Sequence, residues 1–580
     1  MKQMTWVPVV ILAWGLVGCA ADGTSASSLA DSPGPGNNGT KASGGNGGSG
    51  VGGGSSSAGG SGTSGSSGTS SGSAAGSGSL NTPAPSGEAG EADGSHSPAV
   101  EPGGHYEAVG TNPFVLAESD PLSTFAVDAD TASYDIFRRD VNNGALPPAA
   151  SVRLEEYVNN FAYHYQPPRE DSADPFAIHL AAAPSLYDTG TLLVRVGIQG
   201  KQAPAERGEA NLVFLVDVSG SMASQDKLPL VKLVLDEALD TLRPTDHVAI
   251  VTYAGSTAVA LPPTAVSEKD AIRSVIGSLQ AGGGTAGGAG MTLAYEQASL
   301  GFIEGGINHI VMCTDGDFNV GLSSTEEMLA LIEEKRQTGI TLTTLGFGSD
   351  NLNDAMMEQV SNAGNGMYSV ISSQDQAVEY VNDRLLSTMF HIAKDVKIQV
   401  EFNAEKVLAY RLLGYEDRAI ADDEFRDDTV DAGEIGAGHR VTALYEVVPA
   451  GAAVPAPDGA PELIDGEEYA GPIEVDADDL VLVKVRYKQP GATESDPAKE
   501  VASSLPASAA AASYEELDVD FRWAVAVATF AELLKQSPYA RADQLEAIDT
   551  IVSSDPEATS GPHGEFASLF ARARPMLAGR

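Results

Sequence analysis

The chain has 580 residues, which predicts several domains, since a single domain usually holds roughly 100–200 residues. Its 79 acidic and 34 basic residues give a formal charge of −45, which argues against nucleic acid or an anionic membrane surface as a partner. The two cysteines, Cys19 and Cys313, lie in very different contexts, so no disulfide framework is expected.

The first 19 residues have the pattern of a secretory leader. Lys2 supplies a positive charge, and residues 9–17 form an apolar stretch too short to cross a bilayer as a mature helix. The leader ends in L-V-G-C, which resembles the lipobox of bacterial lipoproteins, where cleavage leaves the cysteine thiol to be acylated. An ordinary leader with an incidental cysteine is the alternative. Small residues before Cys19 favour lipidation. The protein is then expected to be attached to a membrane through lipid alone, in the bacterial cell envelope, on the outer membrane or the periplasmic face.

Residues 20–104 are dominated by Gly, Ser, Ala and Thr and contain almost no large apolar side chains. Such a segment cannot bury a core, so a disordered linker is expected. A flexible chain of this length spans roughly 50 Å on average, which would hold the folded part clear of the membrane.

Residues 105–200 are expected to form a small α+β module. Helices are predicted through Phe137 and Val141 and over 152–161, and a strand over 192–198. Asp128-Ala129-Asp130 is similar to the opening of an EF-hand loop, but Ser133 and Arg139 stand where that loop needs glycine and glutamate. These carboxylates are therefore expected to have a structural role such as helix capping.

Residues 208–385 alternate between strand and helix patterns, which predicts βαβ units and a doubly wound, mainly parallel α/β sheet. Strands are predicted over 212–216, 247–253, 309–314, 341–347 and 367–371. Helices are predicted over 228–242, 271–279, 290–302, 328–336, 354–363 and 375–389.

Oxygen-bearing side chains follow three segments of this predicted sheet. Asp217, Ser219 and Ser221 come after the buried strand, Thr285 lies in a glycine loop, and Asp315 follows another strand. The carboxyl ends of parallel strands share one edge of a sheet, so these groups can converge there. Carboxylates and hydroxyls suit a hard divalent cation, so the sequence predicts a site for Mg²⁺, with Mn²⁺ and Ca²⁺ as alternatives. Turn residues and helix caps are the competing interpretation.

The pattern D-x-S-x-S with a distant Thr and a distant Asp resembles the metal-ion-dependent adhesion site of the von Willebrand factor type A domain. The resemblance implies that Ser219, Ser221 and Thr285 bind the metal directly, and that Asp217 and Asp315 bind directly or through water. It also implies a protein partner whose carboxylate completes the coordination, because neutral hydroxyl ligands leave much of the cation's charge uncancelled.

Further motifs resemble the bacterial YfbK-type lipoproteins, which place a short module before the type A domain and another after it. They include Pro121-Leu122-Ser123-Thr124-Phe125, Asp130-Thr131-Ala132-Ser133-Tyr134, Leu345-Gly346-Phe347-Gly348 and Gly414-Tyr415-Glu416. Residues 390–580 are expected to form the second module, a β-rich sheet or sandwich followed by helices. Strands are predicted over 395–402, 407–413, 440–448 and 480–487, helices over 520–535, 541–552 and 565–577, and loops over 450–478 and 489–512.

The sequence thus favours an envelope lipoprotein that binds a protein partner through a metal ion, rather than an enzyme. A metal-dependent hydrolase built on Asp217 and Asp315 is one alternative, but neither His nor Cys is placed beside the motif to form a nucleophile–base pair. A structural envelope scaffold, in which the metal only stiffens the fold, is the other.

Overall fold

The computed structural model describes residues 106–579, except residues 129 and 431 and the segments 188–189, 203–206, 285–286, 317–324, 349–351, 467–468 and 493–495. The predicted leader, Cys19 and the predicted linker lie outside these residues. Among the residues that the structure describes, no helix has both the length and the apolar character needed to cross a bilayer.

The strands and helices follow one another along the chain from Val115 to Leu577. The strands are β1 Val115–Leu116, β2 Leu122–Ala126, β3 Phe176–Pro184, β4 Leu192–Gly200, β5 Ala210–Asp217, β6 His247–Tyr253, β7 Thr257–Ala265, β8 Ile307–Thr314, β9 Thr341–Phe347, β10 Tyr368–Ile371, β11 His391–Phe402, β12 Val407–Leu413, β13 Gly433–Gly436, β14 Arg440–Pro449, β15 Asp479–Lys488 and β16 Lys499–Pro506. The α-helices are α1 Ala132–Asn142, α2 Leu154–Asn159, α3 Leu228–Thr241, α4 Lys269–Ser278, α5 Gly287–Leu300, α6 Thr325–Arg336, α7 Asp354–Ala363, α8 Gln374–Glu379, α9 Leu385–Met389, α10 Val519–Lys535, α11 Gln544–Ser554 and α12 Gly561–Leu577.

The central domain contains a six-stranded sheet in the order β10-β9-β8-β5-β6-β7. All neighbouring strands are parallel except β7, which runs antiparallel to β6. Helices cover both faces: α3, α4 and α8 contribute to the core on one side, and α5, α6 and α7 to the core on the other. Every residue of β5 is buried, as the apolar run over residues 212–216 predicts for a central strand. The doubly wound parallel fold expected for this region is confirmed.

Two antiparallel sheets form a β-sandwich outside the central domain. One has the order β1-β12-β14-β4-β3, and the other has the order β13-β11-β15-β16, with β2 also paired to β11. Side chains of both sheets share one core, as Val196 of β4 and Val400 of β11 illustrate. Three pairs, β1 with β12, β2 with β11 and β4 with β14, join strands that precede the central domain to strands that follow it. The segments 105–200 and 390–580, which the sequence separates, therefore contribute to the same sheets, and the central domain is inserted between them.

A helical layer packs beside the sandwich and is also built from both ends of the chain. Its core joins α1 and α2 to α10, α11 and α12. Trp523 of α10 stacks on His563 of α12 with ring centroids 3.8 Å apart, and Phe161 meets Trp523 edge-on at 5.4 Å. The apolar helix predicted over 520–535 is thus a buried packing helix, and its large aromatic area stabilises the layer.

The N-terminal segment covers the outer edge of the central sheet at β10. Asp130 Oδ1 accepts the backbone N–H of Tyr368 at 2.7 Å, and Asp135 Oδ2 accepts that of Val370 at 3.3 Å. An uncovered edge strand would present these donors to water or to another chain. Asp130 therefore has the structural role that the sequence predicted, but not as a helix cap, because α1 begins after Thr131 without a side-chain capping bond.

One loop prediction was wrong, and several strands were not predicted, among them the hairpin strands β3 and β7. Residues 499–506, expected within a loop, form β16, which pairs antiparallel with β15 at an edge where most of its side chains are exposed. β7 contains Pro262 and Pro263, which cannot donate to a sheet, and it lies at the edge of the central sheet where such donors are not needed.

Candidate metal centre

The candidate centre lies where β5 and β8 end side by side. The two strands are paired in parallel from Ala210↔Ile307 to Val216↔Cys313, so Asp217 and Thr314 emerge at the same edge. A short 3₁₀ turn, Gly220–Ala223, follows Asp217 before α3 begins. This is the carboxyl edge of a parallel sheet, where ligands bind in open α/β folds.

Asp217 is fully buried and holds the turn that carries the serines. Its Oδ1 accepts the backbone N–H of Ser219 at 2.8 Å, and its Oδ2 accepts the Thr314 hydroxyl at 3.3 Å. Burial raises the pKa of the Asp217 carboxyl to about 6, against the hydrogen bonds from Ser219, and the negative charge of Asp315 adds to the rise. A buried carboxylate of this kind gains from a nearby cation, because a positive charge favours its ionised form.

The two serine hydroxyls of the motif point at each other. Ser219 Oγ and Ser221 Oγ are 2.9 Å apart, and Ser219 is buried whereas Ser221 is partly exposed. The structure therefore brings both predicted hydroxyl ligands to one place, beside Asp217 and with an opening to solvent at Ser221.

The glycine loop that precedes Thr285 is tied to the same turn. Gly282 N–H donates to the Val218 carbonyl at 2.8 Å, and Gly220 N–H donates to the Gly283 carbonyl at 3.0 Å. Gly283 has φ +89°, a conformation that glycine adopts without strain. Thr285 itself lies outside the described residues, so its place among the ligands stays a prediction.

Asp315 is fully buried next to the end of β8 and has a cationic neighbour that the sequence interpretation missed. Lys227 Nζ lies 3.0 Å from Asp315 Oδ2, and the Lys227 side chain is only 5% exposed. Gly348, with φ +87°, lies against the lysine stem, where a Cβ would clash. One signal for Lys227 was present: it occupies the N-cap of α3, a position that favours Ser, Thr, Asp and Asn.

The residues present fit a hard divalent cation. Two carboxylates and two hydroxyls offer oxygen donors only, as Mg²⁺, Mn²⁺ or Ca²⁺ prefer. Nowhere in the described part of the chain do three or more His, Cys, Asp or Glu side chains gather in a way that could hold a metal. The candidate centre is not a cluster of this kind, because Asp217 and Asp315 are its only described members of those residue types and the other ligands are hydroxyls.

Three family models match consecutive parts of the chain. The model described as "von Willebrand factor" matches residues 101–195, "von Willebrand factor type A domain" matches 211–384, and "Uncharacterized protein YfbK, C-terminal" matches 387–576. Protein YfbK of Escherichia coli (strain K12) is 39% identical over 444 residues, which cover 75% of this chain and 74% of that protein. The chain belongs to the YfbK family. Its central domain is a von Willebrand factor type A domain, a class that commonly mediates metal-dependent protein interactions.

Two solved structures are among those to which the chain is similar. A von Willebrand factor type A protein from Catenulispora acidiphila is 16% identical, and the match covers 70% of this chain and 98% of that chain with a TM-score of 0.37. Proximal thread matrix protein 1 from the mussel byssus, described with a zinc-occupied metal-ion-dependent adhesion site, is 24% identical. That match covers 30% of this chain and 45% of that chain, with a TM-score of 0.26.

Proposed function

We propose that this YfbK-family chain binds a carboxylate of a protein partner through a divalent cation held at Asp217, Ser219, Ser221, Thr285 and Asp315. We further propose that Cys19 carries lipid and that the folded part is displayed at the cell envelope, at the end of the segment 20–104. Mg²⁺ is the cation proposed first, because hydroxyl and carboxylate oxygens with an open position suit it.

The observation that carries the proposal is the pairing of the two serine hydroxyls beside a buried carboxylate. Ser219 and Ser221 place neutral oxygens 2.9 Å apart next to Asp217. A cation held mainly by neutral oxygens keeps much of its charge and attracts an anionic oxygen from outside. Because Ser221 lies at the solvent side of the pair, a partner side chain can reach this place.

The contacts of the described residues favour binding over catalysis. Hydrolysis by a nucleophile needs a base within hydrogen-bond reach. Among the described residues, neither Asp217 nor the serine pair is hydrogen-bonded to a histidine or a cysteine. Cys313 is fully buried at the end of β8, and burial raises its thiol pKa, which makes it a poor nucleophile. His309 is buried nearer the opposite end of the same strand, and burial lowers its pKa to about 3.

Metal-dependent capture in intact cells tests the proposal. Full-length chain is crosslinked in the presence of Mg²⁺ or of chelator, and the captured proteins are compared for wild type, Asp217→Ala and Ser224→Ala. Ser224 is exposed, and its hydroxyl donates to Asp226 Oδ1 at 2.5 Å, so it serves as a matched control close to the site. A partner that is captured with Mg²⁺ by wild type and by Ser224→Ala, and lost with chelator or with Asp217→Ala, supports the proposal.

Two outcomes would contradict it. Capture that survives chelation, with only the melting temperature falling, would favour a scaffold stiffened by metal. Turnover of phosphate or peptide substrates by the purified protein, lost in Asp217→Ala, would favour the hydrolase.

A further inference from the structure

Lys227 is a buried cation placed at the candidate metal centre. Its ammonium lies 3.0 Å from Asp315 Oδ2, and both side chains are almost completely removed from solvent. A divalent cation bound by Asp217 and Asp315 would therefore share its site with a second positive charge. The ion pair thus engages a carboxylate that the proposed function assigns to the metal.

The position of Lys227 is unfavourable unless Asp315 is present. Lys227 is the N-cap of α3, and the amino end of a helix carries partial positive charge that repels a lysine. Burial of an ammonium also carries a large desolvation penalty unless it is paired. Gly348 makes room for the lysine stem, because a side chain there would clash with it. Both α3 and the end of β9 are thus arranged around this ion pair.

The charge of the centre depends on Lys227. Carboxylates bind a metal in their ionised form, so Asp217 and Asp315 would together bring two negative charges to the cation, and the ammonium 3.0 Å from Asp315 cancels one of them. A bound divalent cation then leaves the centre with net positive charge, whereas without the lysine the carboxylates would neutralise the cation. At these short separations in a buried site, one unit of charge changes binding free energies substantially.

Resting on the proposed function, we infer that Lys227 is a positioning and specificity residue. It lowers the affinity of the centre for the divalent cation, and it raises the affinity of the loaded centre for an external carboxylate. It holds Asp315 by one oxygen and keeps the loaded centre positive. The ligand class it selects is an acidic side chain or a chain terminus, in preference to a neutral oxygen.

Two measurements on the purified chain lacking the leader test this inference. Mn²⁺ affinity is measured by calorimetry, and acetate binding to the Mn²⁺-loaded protein by the loss of water-proton relaxation enhancement. For Lys227→Met we expect Mn²⁺ affinity to rise about tenfold and acetate affinity to fall about tenfold, since the two ligands have opposite charge. Lys227→Arg keeps the positive charge, so the folded variant should bind Mn²⁺ and acetate with affinities close to those of wild type.

Lys232→Met is the matched control. Lys232 lies on the same helix, and its ammonium donates to the Gly277 carbonyl at 3.2 Å in an exposed hydrogen bond. It should leave both affinities unchanged.

The outcomes separate this inference from the proposed function. Wild type that binds no Mn²⁺ contradicts the proposed function itself. Wild type that binds Mn²⁺ while folded Lys227→Met binds it equally or more weakly overturns the inference alone, and shows that the lysine only supports the fold. Tighter Mn²⁺ binding with unchanged acetate affinity also overturns it, because the lysine would then merely compete with the metal.

Discussion

Arg153 and Asp354 form two hydrogen bonds, of 2.6 and 3.3 Å, that join the N-terminal segment to the inserted domain. Arg153 precedes α2, and Asp354 is the first residue of α7; both are buried. The same guanidinium also contacts Glu156 and, at 3.3 Å, Glu358. One arginine thus neutralises acids from two parts of the chain.

Removal of this arginine should strongly destabilise the protein. Arg153→Met leaves the carboxylates of Glu156 and Asp354 buried without their cation, and breaking a buried pair in this way typically lowers the free energy of unfolding by about 3–5 kcal/mol. Urea unfolding followed by circular dichroism measures the change. Arg169→Met removes an arginine from an exposed pair with Asp171 and should change stability by less than about 1 kcal/mol. Equal effects of the two substitutions would contradict this account.

Glu155 predicts a pH dependence of stability. It is buried beside Tyr415, whose N–H its Oε2 accepts at 3.0 Å, and burial together with the charges of Asp417 and Glu416 raises its pKa to about 8. The folded state then binds a proton that the unfolded state releases above its ordinary pKa of 4.5. The contribution of Glu155 to the free energy of unfolding is therefore most favourable below pH 4.5, and it falls as the pH rises towards 8.

The Glu155→Gln variant tests this dependence, because it keeps the shape and cannot ionise. We expect the free energy of unfolding to fall less for the variant than for wild type between pH 5 and pH 9. The two falls should differ by about 1.4 kcal/mol for each unit by which the folded-state pKa of Glu155 exceeds its unfolded-state pKa. Glu170→Gln changes an exposed acid and should leave the wild-type slope unaltered. Parallel profiles for wild type and Glu155→Gln would show that Glu155 is ionised in the folded state.

The order of elements in the central domain could be predicted from the sequence, because its pattern is local. Apolar runs and helical spacing predict β6, β9 and α7 with the bounds that the structure shows. Asp217, Ser219, Ser221 and Asp315 could be predicted as neighbours because parallel strands end at one edge. Thr285, which lies outside the described residues, stays a prediction.

The remaining features depend on contacts between distant parts of the chain. The register of β2 against β11, from Leu122↔Glu401 to Ala126↔Lys397, joins residues that no local pattern connects. Lys227 was missed for a similar reason, since its partner Asp315 is 88 positions away and a lysine beside a metal site contradicts the simple charge rule. Edge strands such as β16 carry a weak pattern because few of their side chains are buried.

Gly348 provides a direct test of the packing around Lys227. Gly348 and Gly459 have nearly the same φ, +87° and +84°, but a Cβ at Gly459 would meet nothing within 4 Å. Alanine at either position should lower stability by about 1 kcal/mol through backbone strain. Gly348→Ala should lower it further, by about 1–3 kcal/mol, because the methyl group must displace the Lys227 stem. Thermal unfolding of both variants gives the comparison, and equal losses would mean that the lysine stem moves aside freely.

The last prediction concerns the effect of the cation on stability. A ligand that binds only the folded state stabilises it by about 2.7 kcal/mol when its concentration is one hundred times its dissociation constant. Mg²⁺ should therefore raise the melting temperature of wild type, and chelator should reverse the rise. Asp217→Asn removes the buried carboxylate charge while keeping its shape, so the variant should fold and lose the Mg²⁺ response.

Asp226→Asn is the control for this experiment, because Asp226 lies close to the motif but bonds to the Ser224 hydroxyl rather than to the serine pair. Its Mg²⁺ response should equal that of wild type. A loss of response in Asp226→Asn together with a retained response in Asp217→Asn would place the cation elsewhere on this acidic chain. A response that Asp217→Asn and Ser219→Ala both abolish would place it between the carboxylate and the serine pair, where a partner's acid group can reach it past Ser221.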